Sequence, residues 1–325
     1  MQRAADIAEG ILAGRKIALA RMISWAENSD PRFPAALAEL YPRIGRAWRI
    51  GITGPPGAGK STLTNALAIK ARAEGKTVAI LAIDPSSPFS GGALLGDRIR
   101  MEERTADEGV FIRSMASRGS HGGLARAAVD ACDAMDAFGY DLVIVETVGV
   151  GQAEYDVVAA ADTVVVVLCP GAGDGIQAMK AGILEVADVL VVNKADLDGA
   201  DRLISDLEEA VHTRGIRRDG DGDGDGRWAV PVLQSVAMRG EGSEAILGAV
   251  DTHREHRAAN DAEGVRRKKR VAQVRRVVDE RLDEELWGAG GLADRAESRL
   301  RDGATPYDVA DGILAEVLGA RKHAR

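Results

Sequence analysis

Residues 49–75 read RIGITGPPGAGKSTLTNALAIKARAEG, and the fold follows from them. A short apolar run, Arg49 to Thr53, breaks into GPPGAGKST, Gly54 to Thr62, and then into a stretch of helix-forming residues. The middle piece matches G-x-x-x-x-G-K-[ST] between a strand and a helix, the context in which that pattern binds phosphate. Gly57 and Gly59 let backbone amides turn inward around phosphate oxygens, at a helix N-terminus whose dipole already favours anions. Gly54, Ala58 and Thr62 complete the segment. Lys60 would reach the β- and γ-phosphates, and the Ser61 hydroxyl would bind Mg²⁺. A glycine-rich turn that binds nothing is the bland alternative; the strand-to-helix placement argues against it.

Outward from this segment, short β-branched runs alternate with amphipathic stretches. Strands are expected at TVAILAID (77–84), VFIRSM (110–115), DLVIVET (141–147), DTVVVVLCP (162–170), VLVVNKAD (189–196) and WAVPVLQSVA (228–237). Runs this apolar imply an α/β fold: a mostly parallel sheet with helices on both faces. Residues 1–48 form a helical N-terminal extension, with Ile7, Ile11, Leu12, Ala18, Leu19, Met22 and Ile23 at helical spacing. The nucleotide domain is expected over 49–257. A helical C-terminal arm follows over 258–325, where Val271, Val274, Val278, Leu282 and Leu286 make one narrow stripe on a charged helix. Such a stripe wants a partner, and a homodimer through this arm is the expectation. The RRDGDGDGDGR run, 217–227, resembles the start of an EF-hand loop, but Val232 stands where a bidentate Glu is needed, so a surface loop is expected.

Two further motifs carry chemistry. NKAD, Asn193 to Asp196, ends an apolar strand downstream of the phosphate loop. A carboxylate at Asp196 can accept both N1–H and N2–H of guanine, whereas adenine offers an acceptor at N1 and no amine at C2. Lys194 would lie along the purine plane and Asn193 would tie the base loops together. In LQSVAMRG, the Ser235, Val236 and Ala237 backbone would offer amides to guanine O6. GTP and GDP, not ATP, are the nucleotides implied. The second motif is VIVETVGVGQAE, 143–154, in which Glu146 would hold Mg²⁺ and the Gly149 amide would touch the γ-phosphate. Asp84, at the end of its strand, and Asp97, in the loop beyond, are further carboxylates for the metal side. No Gln follows Gly149; Val150 stands there, and Gln152 comes two residues later. Slow intrinsic hydrolysis is the consequence.

Composition sets outer bounds. The 325 residues are 46% hydrophobic and 28% charged, with a net charge of -8, which argues against nucleic acid as the main partner. No apolar run reaches the length of a membrane-spanning helix, and MQRAADIAEG has no apolar signal core. A cytoplasmic protein with no membrane partner is expected. Cys132 and Cys169 sit in apolar segments and read as reduced core residues. The pair His253 and His256 reads as solvated rather than ligating.

With these residues assembled, the chain resembles the MeaB/ArgK family of P-loop GTPases. The resemblance runs through GRAWRIGITGPPGAGKSTL (45–63), AIDPSSPFSGGALLGDRIRM (82–101), RSMASRGSHGGLARA (113–127), DLVIVETVGVGQAE (141–154), GAGDGIQAMKAGILEVADVLVVNKAD (171–196) and TPYDVADGIL (305–314). It implies a fold of the dimeric SIMIBI class, binding of GTP and Mg²⁺, and slow hydrolysis. It further implies a chaperone that gates adenosylcobalamin delivery to a cobalamin-dependent acyl-CoA mutase and protects that enzyme. On the resemblance, Lys60 and Ser61 bind phosphate and Mg²⁺, Asp84 and Asp97 belong to a first switch, and Glu146 to a second. Asp174 and Lys180, in GAGDGIQAMK, belong to a third that couples to the partner with Gln152. The alternatives are a nucleotide-gated scaffold with incidental hydrolysis, a metal-insertion GTPase and a small-molecule kinase. The metal-insertion reading would want a His-rich tract, which His121, His212, His253, His256 and His323 do not supply.

Overall fold

The computed structural model describes residues 3–84, 107–116, 123–147, 160–171, 183–214, 228–260, 262–288 and 291–322. Within them, seven strands form one parallel sheet: β1 (Trp48–Thr53), β2 (Val78–Asp84), β3 (Val110–Ala116), β4 (Leu142–Thr147), β5 (Thr163–Leu168), β6 (Val189–Asn193) and β7 (Val232–Ser235). All seven expected strands are present. Their order is β3-β2-β4-β1-β5-β6-β7, and every pairing is parallel. The chain therefore moves outward from β1 in both directions, which opens a crevice beyond the carboxyl ends of β1, β4 and β5.

Alternation along each strand decides what covers it. Val78 and Ile80, Ile50 and Ile52, Val165 and Val167 point to one face, under α4 (Lys60–Ala73) and α7 (Ser243–Ala259). Ala79, Leu81, Ile83, Val143 and Val145 point to the other, under α5 (Gly123–Phe138) and the N-terminal helices α1 (Ala4–Leu12), α2 (Lys16–Glu27) and α3 (Phe33–Leu40). On that face, α6 (Ala200–Arg214) covers Val164, Val166, Leu190 and Val192. A sheet buried on both sides explains why its strands are near-continuous β-branched runs. Of the N-terminal stripe, Ile7, Ile11, Leu19, Met22 and Ile23 are buried, while Leu12 is 47% exposed at the end of α1. Among the described residues, no helix is long and apolar enough to cross a membrane.

The entry to β1 is pinned by charge. Asp136 on α5 accepts the amides of Gly45 (2.8 Å), Arg46 (3.1 Å) and Ala47 (3.0 Å). The buried Arg49 guanidinium donates to Asp133 (2.7 Å) and to Asp136 (3.1 Å). Both cysteines are buried and free, and burial pushes the Cys132 thiol up to about 12.

His253 corrects the sequence reading. It is 1% exposed, with Nδ1 hydrogen-bonded to Thr163 Oγ1 at 2.8 Å and its ring 4.8 Å from that of Trp228. Thr163 also accepts from Trp48 Nε1 at 2.9 Å, and Asp188 lies 3.7 Å from His253 Nε2. The face of α7 that carries His253 lies against the sheet, which spacing along the helix alone did not reveal.

The chain divides into two compact units, residues 1–263 and 264–325. In the second, Leu292, Val309 and Ile313 form a small core, with Leu286 packed on it. Its elements are most of α8 (Ala262–Asp283), α9 (Leu292–Arg301) and α10 (Pro306–Lys322). Thr305 and Asp308 cap α10 reciprocally, Thr305 Oγ1 donating to Asp308 at 2.7 Å and the Asp308 amide donating back at 3.2 Å. A π-turn over Glu284–Gly288 follows α8 and takes Leu286 out of the expected stripe. Val271, Val274 and Val278 stay on α8, 63%, 62% and 47% exposed.

Candidate nucleotide-binding site

The phosphate loop leaves β1 at Gly54, whose φ of +137° and close approach to β5 both require glycine. A Cβ there would come within 2.0 Å of the Val167 carbonyl oxygen. Gly59, at φ +89°, lies under Asn193, where a Cβ would meet Nδ2 at 2.3 Å. The helix α4 opens at Lys60, so Lys60, Ser61 and Thr62 occupy its first turn, where backbone N–H groups have no intrahelical partner. Lys60 is 6% exposed, and its Nζ donates to the Gly54 carbonyl (2.8 Å) and the Pro55 carbonyl (2.9 Å). The ammonium is thus held inside the loop that is shaped for phosphates.

Glu146, second from last in β4 and 5% exposed, accepts a hydrogen bond from the Ser61 hydroxyl. Beside it, Thr147 Oγ1 donates to Thr53 Oγ1 at 3.3 Å, joining the ends of β4 and β1; the sequence reading passed over this pair. Asp84 is the last residue of β2, one beyond Ile83, which pairs with Thr147. Asp84 thus stands at the same end of the sheet as Glu146. A hydroxyl and carboxylates are hard oxygen donors, and Mg²⁺ is commonly held by one or two carboxylates plus phosphate oxygens and water. The donor set fits that cation. Among the described residues no group of three or more His, Cys, Asp or Glu is arranged to hold a metal ion, and this mode of binding needs none.

NKAD lies at the end of β6, next to the phosphate loop. Asn193 Nδ2 donates to the Ala58 carbonyl (2.9 Å), and its Oδ1 accepts from Ser235 Oγ (3.0 Å) and the Ala237 amide (3.1 Å). One side chain therefore joins the phosphate loop to the loop after β7. Lys194, a non-glycine residue at φ +57°, turns the chain and lays its Nζ on the Gly57 carbonyl at 2.8 Å. The Val236 amide donates to the Glu241 carbonyl at 3.2 Å. To serve guanine O6, the Ala237 amide would exchange its bond to Asn193. Asp196 faces Arg239, with Oδ2 3.6 Å from Nη2. Arg239 lies within LQSVAMRG, and no sequence pattern gives it a role; only the fold brings it opposite Asp196.

Asp97, Gly149, Val150, Gln152, Asp174, Lys180 and the Asp-Gly run 217–227 lie outside the described residues, as does the side chain of Asp84.

Comparison with known proteins bears on the chain's family and fold. The model of the family described as methylmalonyl Co-A mutase-associated GTPase MeaB matches residues 19–291. A Pyrococcus abyssi (strain GE5 / Orsay) protein named as a GTPase is 42% identical over 329 residues, covering 97% of each chain. The mouse protein named methylmalonic aciduria type A homolog, mitochondrial, is 34% identical over 281 residues, 81% of this chain and 65% of its own. Among solved structures, one titled LAO/AO transport system kinase matches with a TM-score of 0.72 and 26% identity, covering 97% of each chain.

Proposed function

As the chain belongs to the MeaB family of methylmalonyl-CoA mutase-associated GTPases, we propose that it is a cytoplasmic chaperone for a cobalamin-dependent acyl-CoA mutase. In this reading GTP binding and hydrolysis gate the loading of the mutase's cofactor and protect the enzyme. The nucleotide half rests above all on Asn193, one side chain bonded to both the phosphate loop and the base loop. The mutase half is supported by the family description and by the name of the mouse relative.

In hydrolysis, water attacks the γ-phosphate in line, and the protein contributes mainly position and charge. Lys60 and the phosphate-loop amides neutralise the charge that develops on the phosphoryl oxygens. Asp196 selects guanine through N1–H and N2–H. Ser61 and Glu146, with Asp84 and Asp97, would hold Mg²⁺, which when bound offsets further charge on the phosphates. The Gly149 amide would meet the γ-phosphate. Val150 offers no group to orient the water, so turnover waits on a partner that engages the segments carrying Gln152, Asp174 and Lys180. Purified protein is expected to hydrolyse GTP slowly, and added methylmalonyl-CoA mutase to accelerate it by about ten-fold or more, short of the ~10⁵-fold an arginine finger supplies. Phosphate release measured with and without the mutase checks this. A rate of several per second alone, or indifference to the mutase, would sink it.

The same reading gives the arm a role. Val271, Val274 and Val278 recur at three- and four-residue spacing on α8 and remain exposed, an unpartnered stripe suited to a second copy. V271E/V274E is expected to convert a dimer to a monomer in light scattering while leaving GDP binding in place. A monomeric wild type would remove the dimer from the proposal.

A further inference from the structure

We propose that Arg239 is a guanine gate: its guanidinium holds the Asp196 carboxylate, and the base must displace it to bind. The inference rests on reading Asp196 as the acceptor for guanine. A guanidinium edge and the N1–H/N2–H edge of guanine present the same pattern, two parallel N–H donors in a plane. Each fits one carboxylate, so the two are mutually exclusive ligands of Asp196. Arg239 Nη2 lies 3.6 Å from Asp196 Oδ2, while Nη1 lies 3.8 Å from Glu241 Oε1. The guanidinium thus stands between two acids, and only one of them is claimed by the base.

The backbone beneath Arg239 is fixed while the side chain is free to move. Val236 and Glu241 form an antiparallel bridge, and Gly240 and Gly242 adopt φ +73° and +83°. At Gly242 a Cβ would come within 2.3 Å of the Gln234 carbonyl oxygen, so the turn closes tightly on β7. The Arg239 side chain is 61% exposed, long enough to leave Asp196 and stay with Glu241. Displacement by the base therefore needs a rotamer change and no refolding of the loop. Because the base is common to GDP and GTP, the gate weakens both equally and hastens release of both. It gives the site a built-in means of exchange that acts at the base and leaves the phosphate machinery alone.

The test measures dissociation constants for GDP, GTP and xanthosine diphosphate, and the rate of GDP release, in wild type, R239A, R239K, D196N and D196N/R239A. An exposed ion pair is modest, so R239A is expected to bind GDP and GTP about two- to five-fold more tightly, with slower release. R239K, which keeps the charge but lacks the paired donors, is expected to lie between wild type and R239A. D196N moves preference from guanine to xanthine, since an Asn amide can donate to the C2 carbonyl, and in that background R239A no longer tightens GDP. If D196N keeps the guanine preference, the reading of Asp196 fails and the gate fails with it. If D196N switches but R239A leaves GDP affinity unchanged, weakens it, or shifts GTP alone, the gate is wrong and the site reading stands.

Discussion

Replacing Asp136 by Ala is expected to lower the free energy of unfolding by about 3–5 kcal/mol. The carboxylate is 1% exposed and accepts from the amides of Gly45, Arg46 and Ala47 and from the Arg49 guanidinium. Those amides lie in the segment that feeds β1, the strand on which the phosphate loop is built. Truncation strips a buried acceptor from three backbone donors and removes one of the two carboxylates bonded to a buried cation. Burial works against the Arg49 charge, yet Asp133 and its acidic neighbours outweigh it and hold the guanidinium more firmly protonated than usual. With Asp136 gone, Asp133 keeps its hydrogen bond to the guanidinium and Asp162 still adds charge nearby, but the second bonded carboxylate is lost. D136N, which keeps the shape and one acceptor oxygen, should lie between wild type and D136A. Denaturant titration followed by tryptophan fluorescence in a W287F background reads this unit, because Trp25, Trp48 and Trp228 all belong to it. A loss below about 1 kcal/mol would show that these hydrogen bonds are readily replaced by water.

The contrast between β1 and α7 explains what was legible beforehand. Every strand of the sheet could be read because burial on both faces demands β-branched runs such as Val164 to Val167, and few other structures do. The phosphate loop and NKAD were legible because each fixes residue types at fixed spacing for a chemical reason. Asn193 was assigned its tie between loops from the motif, and its bonds to Ala58, Ser235 and Ala237 match that role. His253 was illegible because its partners, Thr163 in β5 and Asp188 just before β6, arrive from about 90 and 65 residues earlier, and no local pattern encodes such a meeting. Arg239 was missed for a related reason. A single arginine in a turn carries no periodicity, and its meaning depends on which acid the fold brings opposite it. Leu286 shows the limit of periodicity itself: a π-turn over five residues re-aimed it from the stripe into a core.

Lys60→Ala is expected to lower the rate of GTP hydrolysis by about 10²–10³-fold, the loss seen when one preorganised donor to a transition-state oxyanion is removed. The lysine is 6% exposed and already held within the loop by the Gly54 and Pro55 carbonyls, so its charge waits where the phosphates would lie. Preorganisation of this kind is valuable because little reorganisation remains at the moment of reaction. The loop should keep its shape without the side chain. Its course is set largely by Gly54 packed against β5 and by Asn193 bonded to Ala58, contacts that do not involve the Lys60 side chain. K60R should not restore the rate, since a planar guanidinium cannot occupy the place of a compact ammonium between two carbonyls. Single-turnover hydrolysis at saturating GTP separates the chemical step from weakened binding. The same variant bears on the mutase: a chaperone driven by the nucleotide cycle loses mutase protection with K60A, whereas a scaffold with incidental hydrolysis retains it. Wild-type hydrolysis by K60A would remove the lysine from the mechanism, and protection that survives a proven loss of hydrolysis would move the proposed function from switch to scaffold.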